Sequence, residues 1–136
     1  MDNRLKLEIV TPEGVAFSEE VDMVTLPGIE GELGIYPNHV PLLTQIVSGE
    51  VTARKGSQEH YLAVGDGFVE ITANRVAIMT DMAIDADDVD EAQAEAARQQ
   101  AESRLRQKLS DEELAAAHAA LYHSLAQLNV KRKKKR

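Results

Sequence analysis

The chain has 136 residues, 43% hydrophobic and 28% charged, with no Cys and no Trp. That length suits one domain with an appendage or two small units, leaves little room for a deep enzyme cleft, and without cysteine excludes disulfides, thiol catalysis and a thiolate zinc site. Formal net charge is -8, yet six of the fifteen basic groups are the terminal Lys131, Arg132, Lys133, Lys134, Lys135 and Arg136, so an acidic body carries a basic tail. An acidic body is unsuited to wrapping nucleic acid, because backbone affinity depends on Lys and Arg neutralising phosphates. No nucleic-acid partner is expected. No apolar run resembles a leader peptide, and none reaches the about 18 residues of a membrane span, so neither is expected.

To about residue 82 the pattern has period two. Leu5, Leu7 and Ile9 alternate with Lys6 and Glu8, Val24 and Leu26 flank Thr25, and Val69 and Ile71 flank Glu70, as half-buried strands require. Turn chemistry cuts these runs about every ten residues, at Thr11-Pro12-Glu13-Gly14, Pro27-Gly28, Pro37-Asn38, Ser48-Gly49, Gly56-Ser57 and Gly65-Asp66-Gly67. All eight Gly and all four Pro precede residue 68. Residues 1–84 therefore read as an antiparallel β-sandwich or flattened barrel.

From Asp85 the composition turns to Ala, Glu, Gln, Asp, Arg and Leu without Gly or Pro, favourable to helix at nearly every position. Asp88 with Glu91 resembles a capping box, predicting a first helix over about 88–108, and Ser110 with Glu113 is a second box, predicting another from Asp111 to about 129. Leu114, His118, Leu121, Leu125 and Leu128 form a narrow heptad-like seam on the second helix, facing Val89, Ala92, Ala96 and Leu105 of the first. Alanine buries little area, so residues 85–136 read as a marginal helical hairpin able to separate from the sheet.

Enzymatic signatures are missing. The cluster Asp85, Asp87, Asp88 and Asp90 lacks the Gly and Glu that a calcium loop needs at its sixth and twelfth positions, where Asp90 and Ala96 stand. His118 and His123, five apart, do not share a helical face. Gly28, Gly31 and Gly34 precede neither a Gly-Lys-Ser/Thr nor a dinucleotide-binding helix. No catalytic residue, metal or cofactor is expected.

Residues 26–50 contain Gly-Glu-Leu-Gly-Ile-Tyr-Pro-Asn-His-Val-Pro-Leu-Leu, and Val64 to Ile71 read Val-Gly-Asp-Gly-Phe-Val-Glu-Ile. These stretches, with Asp88 to Ala94 at the start of the hairpin, resemble the epsilon subunit of F-type ATP synthases, called delta in mitochondria. The resemblance implies a β-sandwich plus helical hairpin in the rotating central stalk, in contact with the gamma subunit and the membrane ring of c subunits. It implies a non-catalytic rotor subunit of a proton-translocating enzyme, peripheral to the cytoplasmic face of a bacterial plasma membrane.

By position, Gly31, Glu32, Tyr36 and His39 match the family loop that touches the c-ring, although from the residues alone Glu32 also reads as a solvated turn charge and His39 as a support for its own turn. In relatives the hairpin can leave the sandwich and hinder ATP hydrolysis, which implies a regulatory role for Asp90, Gln93, Leu121 and Leu125. The tail residues Lys131, Arg132, Lys133 and Lys134 then suit the acidic lever of the catalytic beta subunits, the other reading being a solvated tail. Gln93 stands where ATP-sensing relatives carry arginine, so weak or absent ATP binding is expected. Two further readings stay open on residues alone: a free-standing small-anion or nucleotide sensor, and a tail that binds nucleic acid.

Overall fold

The computed structural model describes residues 4–135. Ten strands come first: β1 (Leu5–Thr11), β2 (Gly14–Val21), β3 (Met23–Gly28), β4 (Gly31–Ile35), β5 (Leu42–Ile46), β6 (Gly49–Lys55), β7 (Gln58–Val64), β8 (Gly67–Ile71), β9 (Arg75–Thr80) and β10 (Ala83–Asp85). A 3-10 turn (Ala86–Asp88) leads to α1 (Glu91–Leu105) and α2 (Asp111–Lys134). The hydrogen-bonded order is β10-β7-β6-β3-β5-β8-β9-β1-β2, with β4 on β3. Because β3 and β5 meet through the single pair Gly28 and Ile46, the sheet folds there into two layers. One holds β10, β7, β6, β3 and β4, and the other β5, β8, β9, β1 and β2.

The period-two pattern fills the space between them. Leu5, Leu7, Ile9, Val24, Leu26, Val69 and Ile71 are fully buried, together with Ile35, Val51, Leu62, Val76 and Ile78. One pairing departs from the antiparallel expectation, since β1 and β9 run parallel, Leu7 beside Val76 and Ile9 beside Ile78. The local pattern of a strand does not name its partner, and the long chain between β1 and β9 permits the crossover that a parallel pair needs.

Both helix starts obey capping chemistry, with a shift at the first. Asp85 caps the 3-10 turn, Asp90 accepts from the Gln93 backbone N–H at 3.0 Å, and α1 begins at Glu91 and ends at Leu105 instead of spanning 88–108. The Ser110 and Glu113 capping box forms as expected. α2 continues past 129 to Lys134, its last turn lined by Lys131, Arg132, Lys133 and Lys134. Cations there complement the negative end of the helix dipole.

The seam also differs from the heptad expectation. α2 buries Ala117, Ser124, Ala126, Leu128 and Val130, while Leu114, His118 and Leu125 are exposed; on α1 the buried residues are Ala94 and Ala101, not Ala92 and Ala96. α2 must pack both against α1 and onto the outer face of β6 and β7, so its buried surface is broad and is built from small residues that allow close approach. Ala126, Leu128 and Val130 join Ala63, Ala86, Val89 and Ala94 in a second cluster flanked by Tyr61, Met82 and Ile84.

Gly67 opens β8 opposite Thr80, and a Cβ there would lie 1.9 Å from the backbone oxygen of Met79. Gly67→Ala is therefore expected to destabilise the sandwich by about 1–3 kcal/mol, read as a lowered midpoint in urea unfolding.

Candidate functional site

The turn joining β3 to β4 is exposed along its length. Gly28 pairs with Gly31, which takes a φ of 125° that only glycine adopts freely. Ile29, half exposed, sits with Glu30 at the tip, and Glu32 follows, exposed, with its backbone paired to Pro27. Glu32 lies beside two surface grooves that reach the hairpin. One, about 460 Å3, is lined by Gly31, Glu32, Val47, Tyr122 and Leu125, and the other, about 440 Å3, by Glu32, Arg54, Glu59, Tyr61 and Lys133.

Tyr36 and His39 are placed elsewhere. They follow the far end of β4, about 13 Å along the strand from Glu32 at ~3.3 Å per residue. Asn38, with a φ of 69°, donates its backbone N–H to Ala73 at 2.6 Å, which ties this loop to the turn between β8 and β9. Tyr36 is 54% exposed, and His39 places Nδ1 2.6 Å from the carbonyl oxygen of Val40. The four residues grouped by sequence thus fall into two pairs at opposite ends of one strand.

The hairpin residues divide in a similar way. Asp90 and Gln93 form the root of α1, beside the basic end of α2, where Lys135 Nζ contacts Glu91 Oε2 at 2.8 Å. Leu121 is half-buried, and Leu125 lines the groove shared with Glu32. The basic tail is helical and lies against the body: Lys131 Nζ donates to the Ala86 carbonyl at 3.3 Å, Lys133 pairs with Glu50, and Lys134 lies 3.6 Å from Asp87. Arg132 is exposed, and Arg136 lies outside the described residues.

One surface escaped the sequence reading. The outer face of the second sheet layer carries a cross-strand row in which Phe68 pairs with Met79, Met79 with Val10 through the β1 and β9 register, and Val10 with Val15. Phe68 and Met79 are each 50% exposed and Val15 63%. The outer face of the other layer is covered by α2; this one is open. The available signal was phase: Val10 follows Ile9 out of step with Leu5, Leu7 and Ile9, and Phe68 and Met79 are out of step with Val69 and Ile78. Among the described residues no three His, Asp or Glu cluster as metal ligands.

A model of the ATP synthase delta/epsilon chain β-sandwich domain matches residues 4–86, and a model of the long α-helix domain of the same chains matches 87–132. The chain belongs to the ATP synthase delta/epsilon family. It is 47% identical to the ATP synthase epsilon chain of Herpetosiphon aurantiacus over 93% of each chain, and 42% identical to that of Dehalococcoides mccartyi over 98% of this chain and 96% of the relative. Its fold matches a chain in the cryo-EM structure of the Euglena gracilis mitochondrial ATP synthase with OSCP, F1 and c-ring. The TM-score is 0.78 at 19% identity, covering 93% of this chain and 80% of that one. Chains of this family are accessory subunits of the membrane-associated synthase rather than catalytic ones. No helix among the described residues is long and apolar enough to cross a membrane.

Three carboxylates of the hairpin are held in their charged form by close partners. The Lys135 ammonium, through its hydrogen bond and charge, holds the Glu91 carboxyl below its ordinary 4.5. Arg98 does the same for Glu95, and the Ser110 backbone and hydroxyl for Glu113. A depressed carboxylate stabilises the fold above its unfolded value and loses that contribution as pH falls through its folded value. Hairpin order is therefore expected to decline from about pH 4.5 downward, read as loss of helical circular dichroism in an acid titration.

Proposed function

We propose that this chain is the non-catalytic central-stalk subunit that couples c-ring rotation to the catalytic head of a proton-translocating F-type ATP synthase, at the cytoplasmic face of a bacterial plasma membrane. The observation that carries the reading is the unequal dress of the two sheet layers: one is covered by its own helix, the other presents the apolar row Val10, Val15, Phe68 and Met79. Exposed apolar rows of this kind mark partner surfaces. In this reading the row seats the gamma subunit, and the β3–β4 turn lies at the row's Phe68 end, where Ile29, Gly67 and Phe68 line one groove.

The turn at Gly31 and Glu32 meets the polar loops of the c-ring, where an exposed carboxylate suits a basic or amide partner. Residues 1–84 grip the shaft, and residues 85–136 form the regulatory unit. Leaving the sheet, the hairpin would carry Asp90, Gln93, Leu121 and Leu125 away from their present neighbours. Lys131, Arg132, Lys133 and Lys134 would then meet the acidic lever of the catalytic beta subunits and hinder hydrolysis. Gln93 donates hydrogen bonds without neutralising phosphate, so no strong ATP site is assigned. Family membership supports this reading over a free-standing anion or nucleotide sensor.

Two measurements test it. Glu32→Lys is expected to reduce recovery of membrane sectors in a pull-down while gamma is retained, and Phe68→Glu to reduce gamma recovery several-fold; normal recovery of both partners with both variants refutes the assignments. Deleting residues 88–136 is expected to leave a coupled enzyme that hydrolyses ATP faster, and unchanged hydrolysis would deny the hairpin an inhibitory role.

A further inference from the structure

The end of α2 is held by acidic groups from three separate elements. Lys133 pairs with Glu50 at the start of β6, Lys134 Nζ lies 3.6 Å from Asp87 in the 3-10 turn, and Lys135 Nζ bonds Glu91 Oε2 at 2.8 Å at the first residue of α1. Lys131 adds a hydrogen bond to the Ala86 carbonyl. Successive helical residues point about 100° apart, so these ammonium groups leave the helix in different directions and the last turn sits in a cradle of opposite charge. Glu50, with its side chain 22% exposed, is the most shielded of the three carboxylates.

We propose that Lys133 and Glu50 form an electrostatic latch that holds the hairpin on the sandwich, with Lys134 on Asp87 and Lys135 on Glu91 fixing the end of α2 to the hairpin's own root so that Lys133 is presented to Glu50, and that an acidic partner opens the latch by competing for the same ammonium groups. The proposal rests on the detachable hairpin described above and names what sets its closed population. The apolar part of the docking surface is modest, with Ala126, Leu128 and Val130 set against Ala63, Tyr61 and Ile84. A single exposed ion pair contributes little, but charges joined in a network at one helix end act together. Such contacts weaken with salt, since the screening length falls from about 10 Å at 0.1 M to about 3 Å at 1 M. Lys133 bound to Glu50 is not free for a carboxylate on another subunit, so latching and engagement of that partner through Lys133 exclude each other.

The test uses the full chain and amide hydrogen exchange of residues 121–135, with the strands of the sandwich as folding control. Exchange in α2 is expected to rise roughly three- to tenfold between about 0.05 and 0.5 M NaCl. Glu50→Lys and Lys133→Glu are each expected to raise it at low salt and to flatten its salt dependence, and the double reversal to restore protection. Salt-independent exchange, or a double reversal as open as the single ones, overturns the latch. If a variant disturbs the strands, the salt series on the unaltered chain decides. ATP hydrolysis by the assembled complex separates the two claims. A salt-sensitive latch with hydrolysis indifferent to hairpin deletion keeps the latch and removes the inhibitory reading, whereas faster hydrolysis on deletion with salt-independent exchange does the reverse.

Discussion

The contact on which the rest of the molecule depends is the seating of α2 on the outer face of β6 and β7. It divides a symmetric-looking sandwich into a covered side and an open side. Its apolar content is small: Val130 is fully buried and Leu128 nearly so, each contributing about 1.5–3 kcal/mol by burial, and the remaining contacts are largely alanine. The interior of the sandwich, with sixteen buried hydrophobic residues in one cluster, is far more cohesive. Two bodies of unequal strength therefore share one chain, and any force acting on the pair acts first on the hairpin.

The strand interior was legible because period-two alternation is a local property. Leu5, Leu7 and Ile9 need only their own neighbours to declare an inward face. What local pattern could not reveal is which strand lies alongside, so the parallel pairing of β1 with β9 was unforeseen, and with it the row that this pairing assembles. Val10 and Met79 are sixty-nine positions apart and become neighbours only through that register. The out-of-phase apolar residues were visible singly, but their alignment was not.

The helices show the same limit. Composition and capping residues located both, but the seam was assigned as if each helix had one partner. α2 has two, and it uses small residues to meet both, which is why Ala117 and Ser124 are buried where Leu114 and Leu125 are not. The basic run looked like an extension because its partners are distant in sequence. Glu50 lies more than eighty residues before Lys133, and only the fold places one on the other. Likewise the motif around Gly31 and His39 is continuous in the chain but is divided by β4 into two ends of one layer.

Charge and apolar surface thus take separate roles. The open apolar row suits a permanent partner, because apolar burial is not weakened by charge screening as ion pairs are. The hairpin is held partly by ion pairs, which are weak, screened and exchangeable for other ion pairs. A subunit that must keep one contact while surrendering another gains from that division. In the proposed scheme the grip would persist when the hairpin is released, and the sandwich interior would stay undisturbed because none of Glu50, Asp87 and Glu91 contributes a side chain to it.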